Sequence, residues 1–125
     1  LFALFAATLI AGSAFAGEFP DISISDLKKA IADKKVVVID VMDSNSYKAK
    51  HVPGAVSFAA VKADFAKALP ADKNALVVAY CGGPSCKAYQ AAANAAEKLG
   101  YKNIKHLSAG ISGWVSAGEK TEKAN

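Results

Sequence analysis

Two unbroken β-branched runs constrain this chain more than any other feature. Val36-Val37-Val38-Ile39-Asp40-Val41 and Ala75-Leu76-Val77-Val78-Ala79-Tyr80 carry almost no polar residue. A strand with one wet face alternates apolar and polar residues, whereas a continuous apolar run suits a strand buried on both faces, as in a parallel sheet. Asn103 to Leu107 is a weaker third run, and Ile22 and Ile24, alternating with Ser23 and Ser25, give a weak edge-strand signal over Phe19 to Ile24. Helical patterns surround these runs. Ser25 is placed to cap a first helix with Asp26 in its first turn and Leu27, Ala30 and Ile31 on its apolar stripe. Further helices are predicted over Val61 to Leu69, Ala88 to Leu99 and Ile111 to Ala117. The alanines from Ala91 to Ala96 favour helix and allow close packing on a sheet, and Gly100 is placed to end that helix. Strands alternating with helices predict right-handed crossovers and an open parallel sheet, an α/β fold.

Ligands in such sheets bind beyond the carboxyl ends of the strands. The segment in that position after the second run is Cys81-Gly82-Gly83-Pro84-Ser85-Cys86-Lys87, with a helix following. A Gly-rich turn from strand to helix lets successive backbone N–H groups point inward as an anion nest, and a helix N-terminus adds partial positive charge. A thiol held there is driven toward thiolate, the form that acts as a nucleophile. Gly82 and Gly83 supply the turn's freedom, and Pro84 stiffens it while removing one donor. Cys81 is therefore the candidate catalytic residue, with Gly82, Gly83, Ser85, Cys86 and Lys87 as candidate substrate-binding residues. Cys86 has two readings, a resolving thiol that forms a disulfide with Cys81 or a residue that merely lines the loop. Lys87 likewise either steers an anion or only extends from the helix start.

Other polar residues have plainer readings. His51 precedes Pro53-Gly54 and fits a structural turn, His106 reads as an ordinary strand residue, and Trp114 as core or pocket wall. Asp40, at the end of a buried run, is expected to tie loops together by hydrogen bonds. Two histidines and two cysteines show no tetrahedral spacing for zinc, so neither a metal nor a cofactor is expected.

The chain has 125 residues, which predicts one domain, and 53% of them are hydrophobic, enough for a packed core. Its 15 basic residues against 11 acidic ones leave a net charge of +4, spread over the sequence without a basic arm. Nucleic acid binding is not expected, while a small anionic substrate is compatible with the charge. Every basic residue is Lys, so the chain alone cannot build a planar bidentate fork for phosphate or carboxylate.

Leu1 to Ala16 is a separate segment, uncharged and rich in Leu, Phe and Ala, and it closes Ala14-Phe15-Ala16 before Gly17. Small residues at those positions fit signal-peptidase cleavage after Ala16. The charged start of a signal peptide is absent, so the segment reads as a truncated one. A buried first helix or a membrane anchor is the alternative, but the run is short for a span of about 20 residues. The expectation is a periplasmic or otherwise exported protein whose domain covers residues 17–125, with no stable membrane span after processing. The polar stretch 119–125 is expected to fray. Export permits a disulfide, but one pair within a single short loop is a poor staple, so chemistry explains the two cysteines better.

Four segments together resemble a rhodanese homology domain over nearly the whole length from Gly17 onward. They are Val37-Val38-Ile39-Asp40-Val41, His51-Val52-Pro53-Gly54-Ala55, Tyr80-Cys81 with its Gly loop and Ala-rich helix, and Gly100-Tyr101 followed by Gly110-Ile111-Ser112-Gly113-Trp114. The resemblance implies an open parallel sheet of about five strands with helices on both faces. It also implies a persulfide on Cys81, formed from a small anionic sulfur donor such as thiosulfate and passed to a thiol or cyanide acceptor. There are departures. Met42 stands where the family has an Arg, and Ser46 where that Arg's Glu partner belongs, a paired loss. Lys50 replaces the Gly before His51, and Ala109 the first Gly before Gly110. Cys86 occupies the position of the loop's closing basic residue, and the loop resembles a longer Cys-Gly-Gly-Pro-x-Cys variant. A second reading is a non-catalytic exported thiol/disulfide or sulfur-carrier partner using Cys81 and Cys86, docking on another exported protein. A third, phosphatase or arsenate reductase activity, has the right loop length from Cys81 to Lys87 but lacks the Arg its cradle requires.

Overall fold

The structure is a computed structural model that describes residues 19–124. The expected signal segment Leu1 to Ala16 and its cleavage point lie outside the described residues. Helix α1 spans Ile24–Ala32, strand β1 Val36–Asp40, α2 Ser44–Ala49, β2 Val56–Ser57 and α3 Phe58–Val61. A 3-10 helix follows over Lys62–Ala68, then β3 at Leu76–Tyr80, α4 at Tyr89–Lys98, β4 at Asn103–His106 and α5 at Gly110–Ser116. The strands form one parallel sheet of four in the order β2-β1-β3-β4.

Both apolar runs are central strands, and both their faces are covered. Ile39, Val77, Ala79 and Ile104 pack beneath Tyr89, Ala92, Ala93 and Ala96 of α4, with Phe65 and Leu69 beside them. Val38, Val78 and Tyr80 point to the other side, against Leu27 of α1, Trp114 of α5, Ile22, Val52 and Leu107. Each large aliphatic side chain buried this way contributes about 1.5–3 kcal/mol relative to exposure. The alanines of α4 bring that helix close to the sheet, and Gly100, with φ +96°, takes the left-handed position just past its end.

Four strands form where about five were expected. The segment before α1 adds only a single parallel bridge, Asp21 to His106, on the outer edge of β4. Pro20 accepts from His106 N but has no N–H to return, and the chain turns into a helix at Ile24. The cap of α1 is Ser23, whose hydroxyl accepts from Asp26 N at 3.0 Å, so Ser25 lies inside the first turn instead of capping it. The helix expected over Val61 to Leu69 is broken into α3 and the 3-10 segment, with Asp64 at non-helical angles. Helix α2 and the two-residue β2 had no periodic signal. They are held by an Asp43 cap on Ser46 N and by the Tyr47 hydroxyl, which donates to the Ala55 carbonyl at 2.6 Å.

The polar C-terminal stretch, expected to fray, is hydrogen-bonded to the domain through its described residues. His51 and Glu122 exchange two backbone hydrogen bonds of 2.9 Å, Ala124 N donates to Lys48 O, and a Glu122 carboxylate oxygen accepts from Gly54 N at 2.9 Å. The indole N–H of Trp114 donates to the Lys120 carbonyl.

Candidate active site

All four strands run the same way, so their carboxyl ends, at Ser57, Asp40, Tyr80 and His106, share one rim of the sheet. The chain leaves β1 for β2 on one side and returns across it to β3 on the other. The order therefore reverses between β1 and β3, the point at which open parallel sheets bind ligands beyond their carboxyl ends. The loop after β3 is the cysteine loop.

Buried polar groups anchor its base. Asp40 is fully buried and paired across the sheet with Tyr80. The Tyr80 hydroxyl donates to Asp40 Oδ2 at 2.6 Å and accepts from Val52 N at 3.0 Å, while Met42 N donates to Asp40 Oδ1 at 2.7 Å. Burial pushes the Asp40 carboxyl up from its ordinary value, and the hydrogen bonds from Tyr80 and Met42 pull it back. Burial and the Asp40 carboxylate push the Tyr80 hydroxyl far up, so it keeps its proton and donates. Asp40 thus ties three loops together, the role its sequence position suggested. His51 is likewise structural. It is buried, its ring stacks on Tyr47 at 3.9 Å, and its Nδ1 lies 2.7 Å from the Tyr47 carbonyl.

Cys81 continues directly from this anchor and is only 1% exposed. The turn that follows closes with Cys86 N donating to the Gly83 carbonyl at 3.1 Å, which folds Cys86 back over Cys81. The two cysteines, whose pairing the sequence left open, are joined as a disulfide with Cα atoms 6.3 Å apart. Gly82, Gly83 and Cys86 are half-buried, and Ser85 and Lys87 are exposed. Among the described residues, the N–H groups of Gly82, Gly83, Ser85 and Lys87 donate to no backbone carbonyl.

Helix α5 props the loop from the side. Ile111 N donates to the Cys81 carbonyl and Ser112 N to the Gly82 carbonyl, each at 3.0 Å. Gly110 has φ +64°, and a Cβ there would lie 2.6 Å from backbone atoms of Gly82 and Gly83. Only glycine lets the two segments approach this closely. The helix expected over Ala88 to Leu99 is α4, which begins at Tyr89 with no side-chain cap.

Two clefts flank the loop. One, about 420 Å³, is lined by Met42, Ser46, Ala49, Lys50, Ile111, Ser112, Val115 and Ser116. Met42 and Ser46 therefore face the same groove, which Lys50 also lines. The other cleft, about 310 Å³, is lined by Phe19, Pro84, Cys86, Lys87, Tyr89, Gln90, His106 and Ser108. It gathers Cys86 and Lys87 but not Cys81.

His106 belongs to this second cleft, although it reads as an ordinary strand residue in the sequence. Its ring stacks on Tyr89 with centroids 3.4 Å apart, and its Nε2 is buried with no hydrogen-bond partner. Burial pushes its pKa down, opposed by the charge of Asp21. The signal that could have found it is positional, since His106 lies near the end of the third strand run and all such ends share one rim. Among the described residues, no group of His, Cys, Asp and Glu side chains is arranged to hold a metal.

Comparison with known proteins matches this architecture. The family model described as rhodanese-like domain matches residues 23–117. The thiosulfate sulfurtransferase GlpE of Pseudoalteromonas translucida (strain TAC 125) is 30% identical over 107 residues, 84% of this chain and 98% of that protein. Among solved structures, the BH2092 protein of Bacillus halodurans superposes with a TM-score of 0.64 at 28% identity, covering 83% of this chain and 77% of that one. A thiosulfate sulfurtransferase from Pseudomonas aeruginosa gives a TM-score of 0.72 at 25% identity, covering 93% of this chain and 22% of that one. The match runs from the cap of α1 to the end of α5 and includes every strand of the sheet, so this chain belongs to the rhodanese-like domain family.

Proposed function

We propose that the protein is an exported sulfurtransferase whose reduced Cys81 takes sulfane sulfur from a small anionic donor such as thiosulfate. Cys81 holds that sulfur as a persulfide and passes it to a thiophilic acceptor, a thiol or cyanide. The observation that carries this reading is the seat of Cys81, at the carboxyl end of β3 and at the reversal point of the sheet. There it lies in a loop in which the N–H groups of Gly82, Gly83, Ser85 and Lys87 donate to no backbone carbonyl among the described residues, and in which α5 holds the carbonyls of Cys81 and Gly82. Such a loop stabilises a thiolate before attack and a persulfide anion after it. The relative named thiosulfate sulfurtransferase adds support for the reaction class, and Leu1 to Ala16 supports export. In the Cys86→Ser chain, which cannot close the disulfide, thiosulfate is expected to add one sulfur to Cys81 by mass spectrometry, and cyanide to remove it as thiocyanate. Cys81→Ser is expected to abolish both signals. If Cys81 in the Cys86→Ser chain gains no sulfur, the reading fails.

The disulfide favours a second reading, an exported thiol/disulfide or sulfur-carrier partner of another protein. Its mark is a chain recovered from the exported compartment with no free thiol and with partner binding that survives Cys81→Ser.

A further inference from the structure

We propose that Cys86 resolves the persulfide on Cys81, so that the chain releases the transferred sulfur as hydrosulfide and closes its own disulfide. The inference rests on the persulfide reading above and adds a second reactive residue and a product. Three observations converge on it. The two sulfurs are within bonding reach in the folded loop, because the Gly83–Cys86 turn returns Cys86 over Cys81. The bond closes a loop of sequence separation 5, among the shortest a disulfide spans. Loop-closure entropy grows with loop length, so a staple here has the smallest effect on stability and chemistry is the better reason for the pair. The third observation is a difference in access: Cys81 is 1% exposed, whereas Cys86 is half-buried and lines the cleft beside Lys87 and His106.

The step balances without an outside oxidant. Thiosulfate transfers its outer sulfur to the Cys81 thiolate and leaves as sulfite, and the persulfide anion forms. The Cys86 sulfur then attacks the inner sulfur, Cys81 Sγ. The new bond is Cys81–Cys86, and the bond that breaks joins Cys81 Sγ to the outer sulfur. The outer sulfur leaves with the electron pair and takes the Cys86 proton, as hydrosulfide. The sulfane sulfur is reduced and the two thiols are oxidised to the disulfide. Regeneration needs a reductant, an external thiol used twice. Cys86 is half-buried and lines a cleft whereas Cys81 is 1% exposed, so the first thiolate attacks Cys86 Sγ and expels Cys81 as thiolate, the form that accepts the next sulfur. A second thiol then frees Cys86 and leaves as the external disulfide.

The test is a single turnover without external thiol. The full chain is reduced, freed of reductant under nitrogen and mixed with thiosulfate, and hydrosulfide, protein mass and free thiols are followed together. The expected result for the wild type is one hydrosulfide per chain, loss of both thiols and no retained sulfur. Cys86→Ser and Cys86→Ala are expected to keep the added sulfur on Cys81 and to lose the hydrosulfide burst. A wild-type chain that keeps the added sulfur with its Cys86 thiol intact overturns this inference and leaves the persulfide reading standing. So does a hydrosulfide burst that persists in both Cys86 variants. If neither wild type nor variants gain sulfur or release hydrosulfide, both readings fall.

Discussion

Single residues at the base of the loop carry uneven weight. Asp40 and Tyr80 face each other across β1 and β3, and Tyr80 alone connects that pair to Val52 before the second strand. Tyr80→Phe keeps the ring but strands Asp40 Oδ2 and Val52 N in a buried place. The expected cost is about 1–3 kcal/mol, read as a lower urea midpoint with an unchanged slope. A variant as stable as wild type would mean that water or a shifted neighbour satisfies both groups. Met42 and Ser46 illustrate the converse case. Removing one partner of a buried ion pair leaves an unpaired charge, whereas losing both leaves an apolar surface at little cost. Both residues line one groove, together with Lys50.

Among the elements, α5 decides the loop's shape. The N–H groups of Ile111 and Ser112 are bonded to the carbonyls of Cys81 and Gly82, so the helix's contribution is to fix where the loop stands. Gly110→Ala tests this contact. The new Cβ would need to occupy backbone of Gly82 and Gly83 and would also sit at φ +64°. Overpacking and left-handed strain together are expected to cost about 2–4 kcal/mol. Denaturant unfolding reads the loss, and the sulfur-loading rate of the Cys86→Ser background should fall with it. Wild-type loading in a destabilised Gly110→Ala chain would separate the prop from the chemistry.

At the scale of the whole molecule, the C-terminal stretch closes the fold on the side of α2. It links His51, Gly54 and Lys48 to residues more than sixty positions away, as the separation of Gly54 and Glu122 (68) records. A chain ending at Lys120 is expected to lose about 1–3 kcal/mol through these bonds. Hydrogen exchange should show the amides of His51 and Gly54 deprotected while β1 and β3 stay protected. Unchanged exchange at both amides would return the stretch to the frayed tail its composition suggests. Among the described residues no helix is long and apolar enough to cross a membrane.

Much of this was legible in the sequence because the information is local. Continuous β-branched runs require strands covered on both faces, alternation with helices requires parallel crossovers, and a Cys at a strand end before two glycines marks the rim where such sheets bind ligands. Those features placed β1, β3, β4, α4 and the Cys81 loop before any contact was known. The tertiary structure alone decided the rest: the Cys81–Cys86 bond, His106 arriving beside Cys86, α5 holding the loop's carbonyls, and the pairing of Glu122 with His51. Each joins segments that the sequence keeps apart or a geometry that several chemistries share. A two-residue strand, a bridging hydroxyl and a close backbone approach leave no periodicity behind. They exist only once the packed sheet has brought their partners within hydrogen-bonding or covalent reach.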